Sequence, residues 1–133
     1  MEQLLETLDK LDVDGVSTLF APHARILTAD GRRAEGSDAV RQLMSSFLSE
    51  LRSTSHRVTA EWHSHDVWIA EVEASYELRD YLRMDSLPRI FVVRTSSEGI
   101  VEMRVYGAHE RPLSDHPTGE EGMWIGGRWV PPL

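Results

Sequence analysis

The feature that most constrains this chain is a stretch of period-two alternation from Val67 to about Tyr81. Trp68, Ala70, Val72, Ala74, Tyr76, Leu78 and Asp80 share one parity, and Glu71, Glu73, Glu77 and Arg79 share the other. Successive strand residues point to opposite faces. The pattern therefore predicts one long strand with an apolar face on a core and an acidic face in water, which suits an antiparallel sheet. Three further segments join it. His56, Val58, Ala60 and Trp62 alternate with Arg57, Thr59 and Glu61, and a turn at Ser64-His65-Asp66 leads into the long strand. Arg89 to Thr95 reads as a third strand, Ser96 to Gly99 as a turn, and Ile100 to Ala108 as a fourth strand.

The first half of the chain changes period. Leu4, Leu5, Leu8 and Leu11 recur at helical spacing over residues 2–11. Asp12 or Asp14 can cap a second short helix through Val16, Leu19 and Phe20, ending near Pro22. A strand, a turn at Asp30-Gly31 and a short return follow. Ser37-Asp38 then opens the clearest helix, in which Val40, Leu43, Met44, Phe47, Leu48 and Leu51 form a single apolar stripe. Helices first and strands last predict an α+β fold: a cone-shaped, curved antiparallel sheet wrapped on one long helix, with two N-terminal helices. Such a curved sheet leaves a hollow at its open end, a common ligand site.

With 133 residues the chain suits one domain, expected over 1–110. Residues 111–133, rich in proline and carrying Trp124 and Trp129 around Gly126-Gly127, read as a C-terminal extension. A short hairpin there is expected to pack on the domain or on a partner subunit. The formal charge of −8 disfavours nucleic acid and anionic membranes as partners. The absence of cysteine excludes disulfides, thiolate catalysis and cysteine-bound metals. With neither a signal-peptide pattern nor a membrane-length apolar run, a cytoplasmic location is expected.

LDVDGVSTLFAPHARI near the start, the helix SDAVRQLMSSFLSEL, the strand EVEASYEL and the run LPRIFVVRTSSEGIVEMRVY, in that order, resemble the nuclear-transport-factor-2-like superfamily. Within it they are similar to the SnoaL-like polyketide cyclase group, and the likeness spans about residues 1 to 110. The resemblance implies a cystatin-like α+β cone, dimers through the outer sheet face, and a pocket that hosts isomerases, cyclases, dehydratases, epoxide hydrolases and inactive binders. This sequence departs from the family where ketosteroid isomerases hold a catalytic acid, offering Thr28 with Asp30 further on. It departs again on the last strand, whose inner face is expected to carry Val101, Met103 and Val105 in place of His and Asp.

Strand parity places four polar residues on inner faces: His56, Tyr76, Asp80 and His109. A carboxylate in an apolar pocket has its pKa raised, and beside His and Tyr it makes a workable acid–base set. Asp80 is the expected base toward a carbon next to a carbonyl. Tyr76 would steady the enolate, and His56 or His109 would return the proton. The plainer alternative makes Tyr76 a core aromatic and Asp80 a turn cap, since one slip in parity moves the whole set. Phe47, Trp62, Trp68, Met103 and Val105 are the expected walls of the substrate pocket, although ordinary core is the simpler role for the two tryptophans. His63, His65, Glu71 and His109 resemble a cupin metal set, but the framing glycines are missing and Glu71 has the outward parity. No metal and no cofactor are therefore expected. Arg104, Tyr106, Glu71, Glu73 and Glu102 read as cross-strand pairs or a homodimer surface. The expected function is acid–base chemistry on a small hydrophobic, carbonyl-bearing molecule; the alternative is a non-catalytic binding or dimerising module of the same fold.

Overall fold

The computed structural model describes residues 1–107, 123–125 and 128–130. Its elements are α1 (Glu2–Asp9), α2 (Val13–Ser17), β1 (Phe20–Leu27), β2 (Arg33–Glu35), α3 (Ser37–Ser49), β3 (Leu51–Ser64), β4 (Val67–Leu78), β5 (Arg83–Ser96), β6 (Gly99–Gly107), β7 (Met123–Ile125) and β8 (Arg128–Val130). The fold is α+β, a six-stranded, curved and unclosed sheet in the order β2-β1-β6-β5-β4-β3. Four of its five pairings are antiparallel, as the alternation predicts, and β1 lies parallel to β6. The predicted hairpin around Gly126-Gly127 is present as the β7–β8 pair, with Trp124 opposite Trp129.

The core lies between the inner sheet face and the helices. Leu4, Leu5 and Leu8 of α1, Val16 of α2, and Val40, Leu43, Met44 and Leu48 of α3 pack with Trp68, Ala70, Val72, Phe91, Val93, Ile100 and Met103. Each large aliphatic side chain so buried contributes roughly 1.5–3 kcal/mol. Among the described residues no helix is long and apolar enough to cross a membrane.

Several boundaries differ from the sequence expectation, each for a local reason. The second helix stops at Ser17, and Phe20 enters β1 because the Leu19 carbonyl accepts the Ile100 amide and Phe20 pairs with Ile100. Pro22, which has no N–H to donate, sits where the β1–β6 register shifts. The cap of α3 is Gly36 at φ 88°, with no side-chain bond, while the Ser37 hydroxyl donates to the Pro22 carbonyl. Helix α3 ends at Ser49, and Leu51 pairs with Leu78 as the first residue of β3. Strand β5 begins at Arg83, six residues before the expected start, because Arg83 and Met84 pair with Glu77 and Tyr76.

One irregularity redirects several side chains. In β3, Val58 pairs with Val72 but Ala60 pairs with Glu71, so Thr59 is an extra residue. A bulge of this kind reverses the face of everything beyond it. Glu61 consequently shares the inner face with Ala70, and Trp62 lies opposite Ile69 on the outer face.

Candidate functional site

A cavity of about 400 Å³ opens at the end of the cone where α1 and α3 finish. Leu8, Met44, Leu51, Phe91, Met103 and Val105 form its apolar depth, and Thr28, Asp30, Arg32 and Glu50 form its rim. The polar groups on its wall are His56, Tyr76 and Arg89.

His56 is reached from β3 and its side chain is only 2% exposed. Its Nδ1 lies 2.6 Å from Oδ1 of Asp9, and its backbone N–H donates to Oδ2 of the same carboxylate at 3.3 Å. Asp9 is the last residue of α1, and no basic residue occupies that last turn. A negative charge there opposes the helix dipole, so the helix gains nothing from Asp9, while His56 does. A carboxylate acceptor places the imidazole proton on Nδ1 and leaves the Nε2 lone pair to accept a proton, the requirement for a general base. The His56 ring meets Tyr76 and Phe91 edge to face, with centroids 6.1 and 5.8 Å apart. Tyr76 in turn meets Phe47 at 5.9 Å.

Burial pushes the Tyr76 phenol above its ordinary pKa, although Arg89 alongside works in the opposite direction. The hydroxyl is thus held neutral and able to donate. At the rim, burial raises the Asp30 pKa, but bonds from Thr28 and Arg32 and the Arg32 charge outweigh it and hold the carboxyl below its ordinary value. The Arg32 guanidinium lies 5.9 Å from the centre of the Phe47 ring.

The structure brings together His56, Tyr76, Phe47, Met103 and Val105 of the residues expected from sequence. It does not bring Asp80 with them. Strand β4 ends at Leu78, and Asp80 is exposed in the following turn, where its Oδ1 accepts the Leu82 amide. Trp62 is 54% exposed on the outer face because of the bulge at Thr59. Trp68 is buried in the core, away from the cavity, and its Nε1–H donates to Glu61 at 2.9 Å. Val101 is the extra residue of a second bulge, so Ile100 and Met103 are the buried apolar residues of β6. His109 lies outside the described residues. His63 and Glu71 occupy opposite faces, since His63 pairs with Trp68 while Glu71 pairs with Ala60.

Two site residues escaped the sequence reading. Nothing in the sequence links Asp9 to His56 across 47 positions. Arg89 did leave a signal, because it shares the parity of Leu87, Phe91 and Val93 on an otherwise apolar face.

A curved sheet closed by one long helix over an apolar cavity defines the nuclear-transport-factor-2-like class. Within that class the chain belongs to the SnoaL-like domain family, whose model matches residues 1–105. Solved structures agree on the fold. A protein of ketosteroid isomerase-like fold from Catenulispora acidiphila, in complex with trimethylamine, is 15% identical with a TM-score of 0.71, covering 79% of this chain and 82% of its own. An LEH-like epoxide hydrolase from M. tuberculosis is 15% identical with a TM-score of 0.69, covering 80% of this chain and 77% of its own. A candidate SnoaL-like polyketide cyclase from Shewanella denitrificans is 6% identical with a TM-score of 0.69, covering 79% and 85%. No curated protein sequence matches the chain.

Proposed function

We propose that this chain is a SnoaL-like enzyme acting on a small hydrophobic, carbonyl-bearing molecule by cofactor-free acid–base chemistry, as an isomerase, cyclase or dehydratase, in natural-product biosynthesis or catabolism. The observation that carries the proposal is the buried His56 ring, oriented by Asp9 on the wall of an apolar cavity beside Tyr76. In this reading His56 Nε2 removes the proton from the carbon next to the carbonyl. Tyr76 donates to the developing enolate oxygen, and the His56 imidazolium, paired with Asp9, returns the proton. General acid–base catalysis of this kind is worth about 10²–10⁴ in rate.

The test begins with thermal shift against steroids, polyketide-like aromatics and other hydrophobic carbonyl compounds, with and without chelator. A ligand at a hundred times its Kd stabilises the fold by about 2.7 kcal/mol, roughly 10 °C for a domain of this size. Turnover of a bound compound should then fall at least a hundredfold in His56→Ala. Undiminished turnover in that variant would remove the proposal. The alternative is a non-catalytic binding module. It is favoured by the second bond from His56 to Asp9, through the backbone N–H, which ties α1 to β3 whether or not chemistry occurs. Ligand binding with no turnover by the wild type would select it.

The proposal includes a homodimer. Trp62, Ile69, Ile90 and Tyr106 are exposed on one outer sheet face, an apolar surface of the kind that subunits cover. It also includes cytoplasmic residence, in keeping with the absence of cysteine.

A further inference from the structure

Among the described residues, the structure pairs its buried charges with one exception. Glu102 is 8% exposed and is met by Arg25 at 3.1 Å, Arg104 at 3.2 Å and Arg94 at 3.5 Å. Arg89 is equally buried, yet among the described residues no carboxylate lies within ion-pair distance of it. Its Nη1 donates to the Pro88 carbonyl at 2.9 Å, and its guanidinium faces the cavity alongside Tyr76. Asp9 is engaged with His56 and Asp30 with Thr28 and Arg32, while Glu50 on the rim makes no ion pair with Arg89. Removing a cation from water without a counter-charge costs several kcal/mol. A fold that places one on a cavity wall has provided for an anion that arrives with the ligand.

The backbone makes room for this arginine. Arg89 pairs with Gly107, and a Cβ added at Gly107 would lie 2.7 Å from Cδ and Nη1 of Arg89 and from the Pro88 carbonyl oxygen. Any other residue at 107 would displace the guanidinium. The position of the charge is therefore built by two strands.

We propose that Arg89 anchors a carboxylate on the ligand, so that the cavity selects a small apolar acid with its charged end at Arg89 and its body against Phe47, Phe91 and Val105. This deepens the proposed function and rests on it for the ligand's place in the cavity. His56 on β3 and Arg89 on β5 flank β4, a span of about 10 Å at the usual strand spacing. The inner-face side chains converge across that span, as the 5.8 Å between the His56 and Phe91 rings shows, so an acid anchored at Arg89 turns its carbon body toward His56. The long-range field of a chain of charge −8 repels anions, so recognition of an acid has to be this local and this desolvated.

The probes are 2-naphthoic acid and its methyl ester, titrated calorimetrically into the full chain, the wild type and three variants. The wild type should bind the acid at least tenfold more tightly than the ester, the scale of a charge-assisted hydrogen bond. Arg89→Met should erase the preference, Arg89→Lys should keep part of it, and Gly107→Ala should reduce it by moving the guanidinium. If Arg89→Met fails to fold, the wild-type comparison and Arg89→Lys still decide. Equal affinity for acid and ester, a preference that survives Arg89→Met, or binding of neither probe would each overturn the anchor. Ester binding without an acid preference leaves the acid–base reading standing. Acid binding through Arg89, with turnover indifferent to His56, overturns that reading and leaves the anchor.

Discussion

Replacing Asp9 separates the structural from the chemical role of its contact with His56. The Asp9 carboxylate accepts two bonds from a residue whose side chain is 2% exposed: Nδ1–H at 2.6 Å and the backbone N–H at 3.3 Å. Asp9→Ala leaves both donors without a partner. A hydrogen bond to a charged acceptor is worth about 1.5–3 kcal/mol and an ordinary one about 1, so the loss should total about 3 kcal/mol. Relief of the unfavourable charge at the end of α1 returns a few tenths. For a chain of this length the melting temperature should fall by roughly 12 °C. Asp9→Asn is the informative variant. Its oxygen can accept the backbone N–H, but its amide then presents a donor to Nδ1. Only the imidazole tautomer protonated at Nε2 satisfies both. Stability should fall by only about 1 kcal/mol, while Nε2 changes from acceptor to donor. Thermal unfolding reads the first effect. Multiple-bond ¹⁵N–¹H spectra, with His56 assigned by its loss in His56→Gln, read the second. A proton on Nδ1 in the asparagine variant, or an alanine variant within 0.5 kcal/mol of the wild type, would refute the reasoning.

Three further outcomes are expected. Because folding raises the Tyr76 pKa above 10.0, the folded state favours the neutral phenol, and this stabilisation is complete below pH 10 and lost as pH rises through the folded value. Denaturant titrations between pH 9 and 11 should therefore show the wild type losing stability faster than Tyr76→Phe. Trp68→Phe removes a buried bond to Glu61 and some packing, which should cost about 1–3 kcal/mol without changing ligand affinity, and Trp62→Ala should leave affinity unchanged, both read by calorimetry. On the outer face, Ile90→Lys should shift sedimentation toward the monomer without altering the monomer's circular dichroism, because Ile90 is 41% exposed.

The fold was legible because its signals are periodic. Leucines at helical spacing mark α1, the apolar stripe from Val40 to Leu48 marks α3, and alternation marks β4. Turns were legible where chemistry demands them, as at Gly31 with φ 87° and Gly99 with φ 119°. Parity, however, carries only to the next bulge. The alternation His56, Val58, Ala60, Trp62 is unbroken on paper, yet the extra residue at Thr59 turns Trp62 outward and brings Glu61 in to meet Trp68. The same limit applies at Asp80, where the alternation continues two residues past the point at which β4 stops pairing.

The site was only half legible, for a different reason. His56 and Tyr76 sit where their own strands put them, so local pattern finds them. Asp9 matters only through a partner on another element, and an acidic residue beside the apolar stripe of a surface helix looks the same whether it meets water or an imidazole. Arg89 falls between these cases. Read as the first residue of a strand, an arginine is an ordinary exposed end. Once β5 is seen to begin at Arg83, the same residue is the third inward position of a run whose neighbours are Leu87, Phe91 and Val93. An arginine in that run has to be stabilised by something apolar side chains cannot supply. Opposite it stands Gly107, the last residue of β6 and the final pair of its ladder with β5, where a side chain would add packing. A charge on an apolar face and a glycine across from it are each weak signals. Together they mark a guanidinium that the sheet was shaped to admit.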